Sequence, residues 1–280
     1  MPAGYRTGDC LRFLRRDTEG LSERVCDPGF EKAFLQGESP RQVSVRFAAG
    51  VAHCETDALD GLSVVRRLLG LHCNSAAFEA RFHNDPLLGP LIARQRGLHI
   101  PLTATPWEGI AWAILGQQIN LSFAISLRRE LIRNFGVRHS SGLIAHPDPA
   151  TIAAIEIPTL RALKFSTSKA DYLTGAAKTL LLGALPGVSP AGSSDYIQSA
   201  PVLEKALRSI RGFGPWTVQY VMLRAFGYPD CLPASDSGLA QALERLPGVE
   251  RRLTEKELAE LFARYAPDRS LATCHLWASL

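Results

Sequence analysis

Three observations predict a mostly α-helical fold preceded by a small α+β module. Within residues 1–72, short runs alternate apolar and polar side chains, the period of strands. From about Ser75 onward, apolar residues recur at helical spacing and are punctuated by Pro and Gly clusters. At 280 residues and about 150 residues per domain, the chain has room for two such units.

The elements follow in order. Val43, Val45 and Phe47 alternate with polar neighbours, Ala49-Gly50 offers a turn, and Val51 to Thr56 extends again, which predicts a hairpin from an antiparallel sheet. A helix follows, with Leu62, Val65, Leu68 and Leu69 on one face and Arg66 and Arg67 on the other. Beyond Ser75 no strand is expected, and roughly eight to ten short helices should pack as one or two bundles. Ile119, Phe123, Leu127, Leu131 and Phe135 repeat every four residues and stop at Gly136, which predicts a helix over 119–135. Ser168 before Lys169-Ala-Asp171 and Thr254 before Glu255-Lys-Glu257 have capping-box patterns. Breaks are expected at His146-Pro-Asp-Pro149, Leu185-Pro-Gly187, Ser189-Pro190 and Leu246-Pro-Gly248.

Composition narrows the function classes. Apolar residues make up 46% and charged ones 21%, close to globular averages, so a disordered or collagenous chain is excluded. The net charge of +4, from 31 basic and 27 acidic residues, excludes a polybasic tail. A local basic patch is still allowed. The surplus sits in the middle: 12 Lys/Arg against 8 Asp/Glu over residues 101–230, with near balance on either side. Cys10, Cys26, Cys54, Cys73, Cys231 and Cys274 are scattered with no C-x-x-C pair, so neither a disulfide framework nor a zinc ribbon is expected. With no signal-peptide core at the N-terminus and no run of 18 apolar residues, a cytoplasmic protein with no membrane association is expected.

One stretch carries chemistry: Leu207-Arg-Ser-Ile-Arg-Gly-Phe-Gly-Pro-Trp-Thr-Val-Gln-Tyr-Val-Met222. A helix over about 200–209 runs into a two-glycine turn, and a second helix opens with Pro215 at its first position. Gly212 and Gly214 let the backbone approach another molecule, and the free N–H groups at the helix start form an anion site flanked by Arg208 and Arg211. Phosphate is the natural guest. Thr217 stands where a dinucleotide fingerprint has its third glycine, and a helix rather than a strand precedes the turn, so a nicotinamide cofactor is not expected. Taken alone, the glycines fit an ordinary helix-turn-helix corner equally well.

With the loop Asp230-Cys-Leu-Pro-Ala-Ser-Asp236 behind it, this segment resembles the helix-hairpin-helix of the DNA glycosylase superfamily. Phe165-Ser-Thr-Ser-Lys-Ala-Asp-Tyr172 and Ile114-Leu-Gly-Gln-Gln118 are similar to further signatures of that superfamily, in the same order. Leu71-His-Cys-Asn74 and His275-Leu-Trp277 resemble its alkyl-purine glycosylases, and the likeness covers nearly the whole chain. The resemblance implies a small N-terminal domain related to the TATA-binding protein over 1–72, then a helical glycosylase domain over 73–280. Its two subdomains would comprise about 105–226, and 73–104 with 227–280.

The resemblance also implies roles. Asp236 would be the catalytic carboxylate that stabilises positive charge on the sugar or activates water; on its own it reads equally as a helix cap. Trp216 occupies the place where lyase members carry a Schiff-base lysine, which implies a monofunctional hydrolase. Trp216, Tyr220 and Trp277 would stack on a flipped cationic base, against the alternative of core packing. Arg208, Arg211, Gly212, Gly214, Thr217 and Lys169 would contact DNA phosphate, while Lys164, Arg128 and Arg129 read as solvated charges. Gln117, Gln118 and Ile119 are the candidates for the side chain that fills the flipped base's gap, with Gln118 at the position where an apolar wedge is expected. No metal or other cofactor is expected: only Cys231 and Cys274 lie where iron-sulfur members carry four cysteines. A monovalent cation held by hairpin carbonyls near Arg208, Ile210 and Phe213 is the one exception. The expected partner is duplex DNA containing damaged bases, bound by a monomer, with alkylated purines such as 3-methyladenine and 7-methylguanine released in base excision repair. Alternatives are a glycosylase for uracil, hypoxanthine or an oxidised purine, and a non-catalytic DNA-binding module.

Overall fold

The computed structural model describes residues 1–183, 185 and 200–280. The expected breaks at Pro186-Gly187 and Ser189-Pro190 lie outside them.

The N-terminal module is richer than a hairpin. Helix α1 (Thr7–Leu14) precedes an antiparallel meander of β1 (Glu23–Cys26), β2 (Gly29–Gln36), β3 (Ser39–Ala48) and β4 (Val51–Thr56), paired in chain order, and α2 (Gly61–Leu68) follows. The β3–β4 hairpin turns at Ala49 and Gly50, both at positive φ (49° and 76°), as a tight two-residue hairpin requires. Phe30, Phe34, Val43, Val45 and Phe47 pack against Cys10, Leu11 and Leu14 of α1 and Val65, Leu68 and Leu69 at α2. Leu62, expected on that face, is 55% exposed instead.

The rest of the chain is a helical body: α3 (Ser75–Phe82), α4 (Gly89–Arg94), α5 (Pro106–Gly116), α6 (Leu121–Phe135), α7 (Pro149–Ala153), α8 (Ile157–Ala162), α9 (Thr167–Leu181), α10 (Ala200–Arg208), α11 (Pro215–Arg224), α12 (Ser237–Glu244), α13 (Glu255–Phe262) and α14 (Arg269–Trp277). Among the described residues this exceeds the expected eight to ten. Ile110, Ala111, Ala113, Ile114 and Leu115 make α5 a largely buried central rod, apolar on most faces as a core helix is. Local capping sets the helix starts. Asn120 accepts from the Phe123 N–H, so α6 begins at Leu121 and not at Ile119. Ser166, not Ser168, caps α9 through the Lys169 N–H. Thr254 and Glu257 form the expected capping box of α13.

A strand pair overturns the expectation of none after Ser75. β5 (Val137–Arg138) and β6 (Ile144–Ala145) form a short ribbon after α6. Leu143 and Ala145 bury against Ala33 of β2, and the Ile144 N–H donates to the Leu21 carbonyl at 2.8 Å. The two parts of the chain are thus interleaved.

Ion pairs reinforce this seam. Lys32 lies on the core face of β2, 2% exposed. Its ammonium donates to Ser22 Oγ (2.6 Å) and meets Glu23 Oε2 (3.1 Å) and, from α5, Glu108 Oε2 (2.9 Å). From α6, Arg128 reaches Glu23 at 2.8 Å and Arg129 reaches Asp17 at 2.6 Å. Arg128 and Arg129 are therefore interdomain ion-pair partners, not solvated charges. Burial raises the Glu23 carboxyl, but Arg128 and Lys32 outweigh it and hold it down at about 2.

All six cysteines are free thiols. Among the described residues no helix is long and apolar enough to cross a membrane.

Replacing Lys32 by Met leaves Glu23 and Glu108 without their shared buried cation and should cost about 3–5 kcal/mol in urea unfolding. Buried histidines set an acid limit, and burial lowers His99 as well as the two most strongly shifted, His146 and His275. Burial pushes His146 down to about 3 and His275 to about 4, so both stay neutral in the fold while the unfolded chain takes up protons below about pH 6.5. Stability should rise toward its full value above that pH and fall by at least about 2 kcal/mol between pH 6.5 and 5.5. His275→Gln should remove about 1 kcal/mol of that fall.

Candidate active site and nucleic-acid interface

The hairpin between α10 and α11 has the expected geometry. Gly212 sits at φ +87°, and a Cβ there would collide with the ring of Tyr172 from α9, so both backbone and packing require glycine. Gly214 is the extended N-cap of α11, brings no capping side chain, and has open space where a Cβ would stand. With Pro215 next and the first helical bond made by the Val218 N–H to the Gly214 carbonyl (3.1 Å), the preceding amides are left for an anion.

The side chains around this turn separate into outward and inward groups. Arg211 is 82% exposed and pairs at its edge with Asp171 (2.9 Å). Arg208 is half-exposed and pairs with Glu204 one turn earlier (2.7 Å). Thr217, expected at DNA, is buried, and its hydroxyl accepts from Gln117 Nε2 at 3.0 Å. Lys169 corrects a second expectation. It is 7% exposed, and its ammonium donates to the carbonyls of Ile114 (3.0 Å), Leu115 (2.9 Å) and Gln117 (2.7 Å). It closes the C-terminus of α5, where free carbonyls and the negative end of the helix favour a cation. Burial pushes this amine down to about 8, which still leaves it charged at neutral pH, with three acceptors.

The three wedge candidates also differ. Gln117 is a strut, donating to the Gly212 carbonyl (3.0 Å) as well as to Thr217. Ile119 packs against the core. Gln118 is exposed and held at φ +56°, a left-handed conformation that costs a non-glycine residue about 1–2 kcal/mol and that clusters at functional positions. Leu121 and Phe123 beside it are exposed apolar residues, although Phe123 belongs to the apolar repeat of the sequence.

After α11 the chain passes through 230–236, anchored by the Leu232 N–H donating to Gln219 Oε1 (3.0 Å), and delivers Asp236 to the start of α12. Asp236 Oδ1 accepts from the Leu239 N–H (2.8 Å) and from Trp277 Nε1 (2.9 Å); Oδ2 accepts from Trp216 Nε1 (2.9 Å). The helix-cap role and a clamped carboxylate are the same group. An ionised carboxylate has about four acceptor sites, so this one keeps capacity on Oδ2.

The expected aromatic residues converge here. Trp216 stacks on Tyr220 (centroids 5.0 Å apart, 25°), and Tyr220 lies 6.0 Å from Trp277. Four residues were not anticipated. Trp112 of α5 donates Nε1 to the Tyr220 hydroxyl (3.0 Å). Arg224 stands over the Trp277 ring (5.0 Å), while Phe13 and Arg16 arrive from the N-terminal module. Arg224 follows Tyr220 by four positions on one helix face, a signal present in the sequence; Phe13 and Arg16 carry none. Among the described residues no cluster of three His, Cys, Asp or Glu side chains is placed to hold a metal ion.

Comparison with known proteins accords with this geometry. Residues 111–268 match the family model described as HhH-GPD superfamily base excision DNA repair protein. The DNA-3-methyladenine glycosylase of Bacillus subtilis is 31% identical over 201 residues, covering 70% of this chain, which spans 64% of that protein's own length. The DNA-3-methyladenine glycosylase 2 of Escherichia coli is 27% identical over 280 residues, 95% of this chain and 91% of that one. Among solved structures, a 3-methyladenine DNA-glycosylase from Archaeoglobus fulgidus superposes with a TM-score of 0.82 at 21% identity, covering 98% of this chain and 94% of that one, and so shares its fold. The chain belongs to the HhH-GPD superfamily of base excision DNA repair proteins.

Proposed function

We propose that this protein is a monofunctional DNA glycosylase that hydrolyses the N-glycosidic bond of alkylated purines in duplex DNA. One observation carries the reading: the Asp236 carboxylate is gripped by the indole N–H groups of Trp216 and Trp277, both at 2.9 Å, at the edge of an aromatic cluster. Two rings and a backbone amide fix its position before any substrate arrives, which is the preorganisation that electrostatic stabilisation requires.

In the proposed reaction the damaged nucleotide leaves the stack and its base lies against the aromatic cluster. As the bond from C1′ to the base nitrogen breaks, its electron pair goes with the base and positive charge develops on the sugar. Asp236 faces that charge. Water then adds at C1′ and gives up a proton, leaving an abasic site and the free base. A purine alkylated on a ring nitrogen is already cationic and leaves without a strong acid. A lyase step needs a free amine. The residue at the corresponding place is Trp216, and the Lys169 amine is engaged by three carbonyls.

Phosphate would bind at the open amides of α11 beside Arg211, giving salt-sensitive and nearly sequence-independent affinity. A monovalent cation there would rely on main-chain oxygens. The Ile210 carbonyl accepts from the Phe213 N–H (3.1 Å) and that of Gly212 from Gln117 (3.0 Å), and each keeps a second lone pair.

Asp236→Asn should lower the release of 3-methyladenine from alkylated duplex by about 100-fold or more while binding to abasic DNA persists; borohydride should trap no adduct with either protein. Undiminished release would move the catalytic role elsewhere. For phosphate contact, Arg211→Ala should reduce the salt slope of DNA binding by about one. Lys169→Met should leave that slope unchanged and instead lower the melting temperature, and a lost slope in this variant would place Lys169 on DNA.

A further inference from the structure

We propose that Arg16, carried to the pocket by the N-terminal module, is a specificity-determining residue that biases base release toward neutral lesions bearing an exocyclic carbonyl oxygen. This inference rests on the glycosylase reading above.

Arg16 lies two residues beyond the end of α1, and its guanidinium stacks over Phe13 at 4.3 Å. Arg224 approaches the same ring at 5.0 Å and the Trp277 ring at 5.0 Å. Two cations therefore share one aromatic wall. Arg16 also lies beside the Tyr220 hydroxyl. The carboxylates that line the same cavity as Arg16 pair with other cations: Asp17 with Arg128 and Arg129, Glu23 with Lys32 and Arg128, and Glu108 with Lys32. Among the described residues no carboxylate pairs with Arg16 or Arg224. Arg224 donates Nη1 to the Pro101 carbonyl (3.1 Å), and its buried Nε has no acceptor. Burial first, then the nearby Arg224, pushes the Arg16 guanidinium below its ordinary value. Arg224 is buried and Arg16 partly so; a cation held out of water without a counter-charge is costly to keep, and structures retain such groups where an incoming ligand satisfies them.

The hydrogen-bond inventory fixes what that ligand offers. The Tyr220 oxygen accepts from Trp112, so its own hydrogen is a donor. Arg16 and Arg224 are donors only. Apart from the Asp236 carboxylate, this wall presents N–H and O–H groups and positive charge. A neutral base with a carbonyl oxygen supplies the acceptor these groups lack, and a site built to hydrogen-bond such a group rejects analogues without it. A cationic base instead meets two guanidinium groups, one of which already occupies a face of Trp277. The aromatic cluster thus does not by itself select for cations, as cation–π stacking alone would suggest.

The test compares single-turnover release of hypoxanthine (neutral, carbonyl-bearing) and of 3-methyladenine from otherwise identical duplexes. Arg16→Met keeps the apolar stem and removes both charge and donors. The hypoxanthine to 3-methyladenine rate ratio should fall about tenfold. A fall of less than about threefold, or equal losses on both bases, overturns the proposal. So does a wild type that releases 3-methyladenine but no hypoxanthine. If Arg16→Met melts well below wild type, the same ratio and threshold are read on Arg16→Gln. A wild type that releases neither base overturns the glycosylase reading itself, a result distinct from either outcome for Arg16.

Discussion

The buried contact between Lys32 and Glu108 ties the N-terminal sheet to the central helix, and the geometry of the site follows from it. Glu108 is one turn from Trp112 on α5, so the face of the helix that holds the sheet also holds Tyr220. At the far end of the same rod, Lys169 gathers three carbonyls and Gln117 braces the Gly212 turn. One helix of 11 residues, about 1.5 Å of rise each, thus sets the distance from the interdomain seam through the aromatic pocket to the phosphate-facing hairpin. Ion pairs of this kind contribute little net stability over apolar packing but penalise any other arrangement strongly, which suits a seam that must hold Phe13 and Arg16 in register with residues more than 200 positions away.

Asp236 shows a similar economy. As an N-cap it is oriented by the first turn of α12, through the Leu239 N–H. The indoles of Trp216 and Trp277 then fix its second direction. A carboxylate held from three sides has no reorganisation to undergo when a cation develops nearby. The aromatic rings therefore serve twice: their edges position the acid, and their faces bound the space for the base.

What was legible in the sequence is what local rules determine. Pro215 at a helix start, glycine at a left-handed turn, the Thr254 capping box and the Ala49-Gly50 hairpin each depend on residues a few positions apart. Local rules do not bring Asp236 together with Trp216, Tyr220 and Trp277; that grouping was implied by the family resemblance carried by the hairpin and the loop behind it. The errors share one cause: a charged or polar side chain does not announce a partner a hundred residues away. Arg128 and Arg129 read as solvated because Glu23 and Asp17 lie in another module. Lys169 and Thr217 read as DNA contacts because Gln117 and the end of α5 are remote in sequence. Strand β2 escaped notice because both its faces are covered and Lys32 interrupts its apolar pattern. The basic surplus of the middle segment does not all face outward either, since three of its arginines, Arg128, Arg129 and Arg133, pair with carboxylates of the N-terminal module.

The β5–β6 ribbon, slight as it is, changes what kind of unit this chain is. A segment from between two helices of the body lies against the outer face of the first sheet, with a main-chain bond from Ile144 to Leu21. Neither part can complete its packing until the other has arrived, so the sheet and the helices share one cooperative transition. The boundary near residue 72, visible as a change of texture in the sequence, is therefore a boundary of composition and not of folding. A shortened chain beginning there would expose an apolar seam in place of a domain surface.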